Sequence, residues 1–187
     1  MSKYCCFFCP QKDYAEKDIE DPCPKCGRPY GFILGSPPST IAGYRIIRTL
    51  GRGFYGAAYV AKGGPFGRTF VLKISPKDFY TFFSKPAFTD ETRIHAELSE
   101  TAEHIVKISD AFEQTIEFTD GGNTKLDCYV TVLDFVDGEL LKRYLTGEIV
   151  ASAAEICQIA IDLLRIRAEF EANTVNHNDL HAENLIV

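Results

Sequence analysis

Tyr44-Arg45-Ile46-Ile47-Arg48-Thr49-Leu50 runs into Gly51-Arg52-Gly53-Phe54-Tyr55-Gly56 and out again into Ala57-Ala58-Tyr59-Val60-Ala61-Lys62. The apolar, aromatic and β-branched residues on both sides read as strands, over Tyr44–Leu50 and Ala57–Ala61. The GxGxxG between them is weak evidence alone, because glycines also serve ordinary hairpins. A dinucleotide-binding version needs a helix directly after the glycines. A strand follows here, so the stretch reads as a flap whose backbone donors can cover phosphates.

Working outward, Val71-Leu72-Lys73-Ile74 places one lysine inside a third apolar run, Thr69–Ile74. A strand lysine between Leu and Ile points to one face while its neighbours point to the other. It is either an edge lysine that snorkels to water or a cation that pairs with phosphate and is held by a helix carboxylate. A helix is expected over Asp90–Thr101, and strands near Ile105–Glu113 and Cys128–Phe135, with Gly121-Gly122-Asn123 as turn chemistry before the second. Ser152-Ala153-Ala154-Glu155 is a capping box that opens a helix reaching about Ala172. Ile156, Ile159, Ala160, Leu163 and Leu164 recur at helical spacing, which predicts that face to be buried. Five strands around one helix, followed by helices, give an α+β order.

The last segment, His177-Asn178-Asp179-Leu180-His181-Ala182-Glu183-Asn184-Leu185-Ile186-Val187, is HxDLxxxN with an apolar triplet after it. An Asp and an Asn on one tight loop can divide two tasks: the Asp accepts a proton from an attacking hydroxyl, and the Asn binds a magnesium ion. The competing reading is a polar helix-to-strand loop. The glycine loop, VLK and HxDLxxxN in this order make coincidence improbable.

On these three motifs, residues 44–187 resemble the protein-kinase superfamily, in a form similar to bacterial Ser/Thr kinases. The resemblance implies a five-stranded antiparallel N-lobe sheet with one helix and the beginning of a helical C-lobe. It implies ATP and Mg2+ as cofactors and a protein substrate or a complementing protein as partner. Gly51, Gly53 and Gly56 would then form the phosphate-covering loop. Lys73 would contact the α- and β-phosphates, Asp179 would be the catalytic base and Asn184 a magnesium ligand. Glu91 fits best as the helix partner of Lys73, with Glu97 second. Val130–Gly138 resembles the hinge, with Leu133 behind the adenine and Asp134 and Val136 offering backbone groups to it.

Three departures from the family pattern carry expectations. Asn178 stands where the family usually has Arg, so control through a phosphorylated activation loop is not expected. His181 stands where many Ser/Thr kinases carry Lys, and Asp-Leu-His is similar to the loop of small-molecule phosphotransferases. No Asp-Phe-Gly occurs in the sequence, which stops three residues after Asn184. This leads us to expect a weak or inactive catalyst as a shortened chain, with a nucleotide-binding pseudokinase scaffold or a small-molecule kinase as the alternatives. An apolar edge at Leu185, Ile186 and Val187 is expected to be exposed.

The first 34 residues differ from the rest. Five of the seven cysteines lie there, and Cys6-Phe7-Phe8-Cys9 and Cys23-Pro24-Lys25-Cys26 are two CxxC knuckles separated by thirteen residues. Without an export signal, disulfides are a poor explanation. Two such knuckles can close a four-sulfur shell around zinc, with free surface thiols or a redox CxxC as the competing readings. A segment this short cannot bury enough core to fold unaided, so a closed, structural Zn2+ site formed by Cys6, Cys9, Cys23 and Cys26 would supply its folding energy. The organisation read from sequence is a zinc ribbon over 1–34, a Pro- and Ser-containing linker over 35–43, and the kinase-like domain over 44–187.

Composition sets the outer limits. Apolar residues make up 45% and charged residues 25% of the 187, enough for a sizeable core. The net charge of −6 argues against coating nucleic acid or adhering to anionic membranes. No apolar run approaches the ~20 residues that a spanning helix needs, and the start lacks the apolar core of a signal peptide. The expected location is the cytoplasm.

Overall fold

The computed structural model describes residues 3–4, 15–16, 37–53, 56–77, 80, 87–118, 124–175 and 180–187. Its strands are β1 (Lys3–Tyr4), β2 (Ala15–Glu16), β3 (Thr40–Ile41), β4 (Tyr44–Gly53), β5 (Gly56–Gly63), β6 (Arg68–Pro76), β7 (Ile108–Phe118) and β8 (Thr124–Asp134). Its helices are α1 (Phe88–Thr101), α2 (Leu141–Leu145) and α3 (Ala153–Ala172). The chain divides into two units, Met1–Arg93 with Ile108–Phe135, and Ile94–Lys107 with Val136–Val187.

The first unit is built on an antiparallel sheet of order β3-β4-β5-β6-β8-β7. Alternation along the strands sorts the residues into two faces. Ala57, Tyr59 and Ala61 of β5, Phe70, Leu72 and Ile74 of β6, and Cys128, Val130 and Val132 of β8 are buried together with Ile116 and Phe118. Tyr44 meets Phe70 edge-to-face, with ring centres 5.5 Å apart. Burying each of the larger apolar side chains stabilises the unit by roughly 1.5–3 kcal/mol relative to exposure. This core fixes the register, because a one-residue slip would turn every one of these side chains to the opposite face.

The sheet has six strands where five were expected. The extra one, β3, lies in the segment read as linker. It pairs Thr40 with Arg45 and Ile41 with Tyr44, and it buries Ile41 completely. A two-residue hairpin makes this possible, since Ala42 and Gly43 both take positive φ, 46° and 84°, the pattern of a type I′ turn. The strands of the second half are also displaced from expectation. β7 starts at Ile108 and ends at Phe118, and β8 starts at Thr124, because Ile116, Phe118 and Leu126 extend the inward alternation toward the connecting turn. At the N-terminus, β1 and β2 form a separate antiparallel pair with Lys3 opposite Glu16.

The second unit packs Leu98 and Ala102 of α1 against Phe170 of α3, with Ile105, Ile166 and Val175 around them. The capping box of α3 is present in full: the Ser152 side chain accepts from the Glu155 backbone, and the Glu155 side chain accepts from the Ser152 backbone. At the far end, Val175 N–H donates to the Phe170 carbonyl and Thr174 N–H to the Glu171 carbonyl, 3.0 and 3.2 Å. With Thr174 at φ 56°, this is a Schellman closure. The buried stripe of α3 differs from the expected one. Ile156 and Leu164 remain 57% and 66% exposed. Instead Ile159, Leu163 and Ile166 line an apolar recess with Leu141, Leu185, Ile186 and Val187, while Phe170 enters the core. The helix is turned toward Ile166 and Phe170 because Leu98, Ala102 and Ile105 meet it on that face. Among the described residues, no helix is long and apolar enough to cross a membrane.

Candidate active site

Lys73 lies in β6 with Leu72 and Ile74 on either side, both fully buried, while its own side chain is exposed. The alternation expected from the sequence is therefore realised. Register sets its neighbours. Ala58, Lys73 and Thr131 stand side by side on β5, β6 and β8, and Val60, Val71 and Leu133 form the next row. Directly opposed residues share a face, so Lys73 ends an apolar strip formed by Ala58, Val60, Val71 and Leu133. Among the described residues Lys73 makes no ion pair. A flat apolar strip that ends in a cation suits a planar base attached to a phosphate chain.

The glycine loop closes this strip at one edge. Gly51 is opposite Ala58, and Gly53 is opposite Gly56 at the hairpin end; Phe54 and Tyr55 lie outside the described residues. The glycines have different duties. A Cβ on Gly56 would stand 2.0 Å from the Ile74 carbonyl oxygen and 2.9 Å from Ser75 Oγ, whereas one on Gly51 would meet nothing within 4 Å. Gly56 thus lets β5 pass against the backbone next to Lys73, and Gly51 leaves the loop surface open to a ligand.

Glu91 lies in the first turn of α1, where a carboxylate favours the helix dipole. Its partner is Tyr80, whose hydroxyl donates to Glu91 Oε2 at 3.1 Å. Tyr80 is fixed by two rings: Tyr129 edge-on at 4.9 Å and Phe88 edge-on at 6.1 Å. Phe88 in turn stacks on Tyr129 at 4.3 Å. Burial, followed by the charge and hydrogen bond of Glu91, holds the Tyr80 phenol well above its ordinary pKa. Glu97 belongs to the second unit.

At the hinge segment Leu133 lies opposite Val71 and Ile108. Asp134 accepts from Ser109 Oγ at 2.5 Å and from Arg68 Nη2 at 3.4 Å. Val136 is exposed and opens the second unit.

Within the second unit, Asn184 sits on a loop fastened to the start of α2. Glu139 and Val187 exchange two backbone hydrogen bonds of 3.0 and 2.8 Å, and Leu141 N–H donates to Leu185 O at 2.9 Å. A Cβ on Gly138 would lie 2.6 Å from both Ile186 Cγ2 and Val187 O, so only glycine permits this approach. Lys142 N–H donates to Ala182 O at 3.1 Å, and the Lys142 side chain pairs with Glu183. That hydrogen bond, then the charge of Lys142, lowers the Glu183 pKa. The Asn184 side chain is exposed and carries an amide oxygen, a donor atom that a hard cation such as magnesium accepts. Ile186 and Val187 are 46% and 44% exposed, whereas Leu185, expected to be exposed with them, is half-buried.

Asp179, with His177 and Asn178, lies outside the described residues, as do Cys6, Cys9, Cys23 and Cys26. Among the described residues no group of three or more His, Cys, Asp or Glu is placed to hold a metal ion. The sequence reasoning did not find Tyr80. Its position eleven residues before Glu91 carries no periodic signal, and only the packing of three rings makes it a partner. Ala58 and Thr131 were missed for a similar reason, since cross-strand register is not written in either strand alone. Val71, two residues before Lys73, was legible from the strand period.

Residues 44–187 match the family described as Protein kinase domain. The chain is also similar to the serine/threonine-protein kinase PknD of Protochlamydia amoebophila (strain UWE25), 27% identical over 172 residues. That alignment covers 88% of this chain and 17% of the relative, so the chain spans less than a fifth of that protein's length.

Proposed function

This chain belongs to the protein kinase domain family, and on that premise we propose that it serves an ATP- and Mg2+-dependent transfer of phosphate to a Ser or Thr hydroxyl of a protein. The observation that carries the proposal is Lys73: an exposed cation, without an ion-pair partner among the described residues, at the end of the apolar strip. The Lys73 ammonium neutralises the α- and β-phosphates, and Leu133 with Val71 and Ala58 accepts the base. Asp134 and Val136 offer it backbone groups. Gly51, Gly53 and Gly56 form a loop whose N–H groups cover the phosphates without side-chain interference. Asp179 accepts the proton of the attacking hydroxyl, and Asn184 holds the cation through its amide oxygen. Bound magnesium supplies charge neutralisation as the phosphoryl group is transferred. Glu91 is the carboxylate available to steady Lys73, provided that Tyr80 releases it. Positioning and electrostatics of this kind make up most of the catalysis in phosphoryl transfer.

The four N-terminal cysteines, Cys6, Cys9, Cys23 and Cys26, form a structural zinc ribbon in this reading. Their spacing supports it, since paired CxxC knuckles suit a tetrahedral thiolate shell.

The test is ATP affinity and γ-phosphate transfer to Ser/Thr peptides by the wild-type chain, Lys73→Ala and Asp179→Ala. Lys73→Ala is expected to weaken ATP binding. Asp179→Ala is expected to keep binding and lose transfer. Equal transfer by wild type and Asp179→Ala removes the base assignment. Transfer to hydroxylated small molecules in preference to peptides reassigns the acceptor.

A further inference from the structure

Three cations stand together on β4 and β5. Arg45 is directly opposite Lys62, which is in turn opposite Thr69, and Arg48 is opposite Val60 in the adjoining row. Directly opposed residues share a face, and Lys62 and Val60, two apart on β5, share it too. A regular strand would send Arg45 and Arg48, three residues apart, to opposite faces. A bulge prevents this. The register passes from Ile46 opposite Ala61 to Arg48 opposite Val60, and Ile47 is the extra residue. All three side chains are exposed, and none makes an ion pair or side-chain hydrogen bond among the described residues.

Composition alone does not produce this cluster. The chain carries a net charge of −6, yet β4, β5 and β6 contain no Asp or Glu and hold Arg45, Arg48, Arg52, Lys62, Arg68 and Lys73. Like charges directly opposite each other destabilise a sheet, so Arg45 beside Lys62 is unfavourable until an anion lies against them. A phosphate chain held at Lys73 is a separate ligand. Lys73 stands four residues from Thr69 along β6, which sets the two rows roughly 13 Å apart.

We infer that Arg45, Arg48 and Lys62 form a docking site for an acidic, extended segment of a partner protein. The two guanidinium groups present flat forks that match carboxylates, and Lys62 adds a mobile cation. The site is elongated, since Arg48 lies one row beyond the Arg45–Lys62 pair. β3 pairs with β4 only at Tyr44 and Arg45, so past them no described strand lines the outer edge of β4. Ile47 and Leu50 on that strand are exposed and add apolar contacts that a protein segment uses and a nucleic-acid backbone does not. The negative charge of the whole chain also opposes a long polyanion.

The experiment is binding of a fluorescently labelled peptide of mixed Glu and Leu to the full chain, read by anisotropy at low salt, with ADP absent and present. Binding is read without phosphate transfer, so the outcome does not depend on catalysis. The Gln counterpart of the peptide, oligothymidylate and phosphatidylserine vesicles are the alternative ligands. Wild type is compared with the triple variant Arg45→Gln, Arg48→Gln, Lys62→Gln and with Lys62→Glu. The triple variant is expected to bind the acidic peptide about tenfold more weakly, the combined effect of three exposed ion pairs that each contribute little. Lys62→Glu should also lose binding, yet melt at a higher temperature than wild type, because an opposite charge then faces Arg45. Equal affinity of wild type and triple variant overturns the inference, as does equal affinity for the Glu and Gln peptides. A lower melting temperature in Lys62→Glu gives Lys62 a structural role and overturns it as well. Loss of peptide binding on addition of ADP overturns it too, because the peptide then occupies the strip that ends in Lys73. Tighter binding of oligothymidylate or vesicles, lost in the triple variant, replaces the protein segment with that polyanion.

Discussion

The Tyr80 hydroxyl donates to Glu91 Oε2 across 3.1 Å, so the first-turn carboxylate of α1 is held by a phenol and not by the Lys73 ammonium. Tyr80 is itself held between Phe88 and Tyr129, which gives the contact a fixed geometry. Glu91 therefore has two candidate partners in one unit, and the one it takes bears on how firmly Lys73 is held.

Tyr80→Phe removes the hydroxyl and keeps both ring contacts. A hydrogen bond to a charged group contributes about 1.5–3 kcal/mol, and its loss frees Glu91 to turn to Lys73. ATP affinity is expected to rise by up to about tenfold, corresponding to roughly 1.4 kcal/mol. Calorimetric titration of both proteins checks this, and an unchanged or lower affinity contradicts it.

The glycine loop separates folding from ligand contact. Gly56→Ala drives a methyl group into the Ile74 carbonyl and is expected to destabilise the protein by roughly 1–3 kcal/mol, the usual cost of overpacking. Gly51→Ala has open space and should leave the melting temperature unchanged while altering nucleotide affinity. Equal melting temperatures for the two variants would show that the Gly56 contact is not structural.

Glu169 ties α3 to the loop after α1. Its carboxylate accepts from the Glu103 and His104 backbone N–H groups at 3.2 and 3.3 Å and meets His104 Nδ1 at 2.8 Å. Burial alone would raise its pKa, but the His104 ring and the two backbone donors outweigh this and hold it below the ordinary 4.5. A depressed carboxyl contributes stability that is present above the unfolded-state pKa and lost as pH falls through the folded one. Glu169→Gln should therefore melt earlier than wild type at neutral pH, and the gap should narrow as pH drops below about 4.5. A gap independent of pH would exclude the ionised carboxylate as its source.

Thr174 holds a left-handed conformation, φ 56°, at the end of α3. A β-branched residue is disfavoured there by roughly 1–2 kcal/mol relative to glycine. Thr174→Gly is expected to raise stability by up to about 1 kcal/mol after the entropy cost of glycine. Denaturant titration reads the difference directly, and a lower midpoint would count against the closure being strained.

Metal analysis tests the N-terminal segment. Protein purified without chelator should hold one zinc per chain and release it on chelation. Cys6→Ser with Cys9→Ser should abolish binding. Well under one equivalent in the wild-type chain removes the ribbon.

The sequence by itself determined the order of the elements, the strand–glycine loop–strand flap and the face on which Lys73 stands. Each depends on short-range rules: alternation at period two, turn chemistry, and a capping box that closes within four residues. It also carried the family, because three motifs in fixed order survive without knowledge of packing. Only the tertiary structure decided the rest. It recruited Thr40–Ile41 as a sixth strand, since Ile41 finds a core that no local pattern announces. It turned α3 toward Ile166 and Phe170, because Leu98 and Ala102 of α1 meet that face, and helical period alone does not choose between adjacent stripes. It gave Glu91 to Tyr80, because a hydrogen bond depends on distances within a few tenths of an ångström. Those distances arise where separate segments are packed together, and no single segment encodes them.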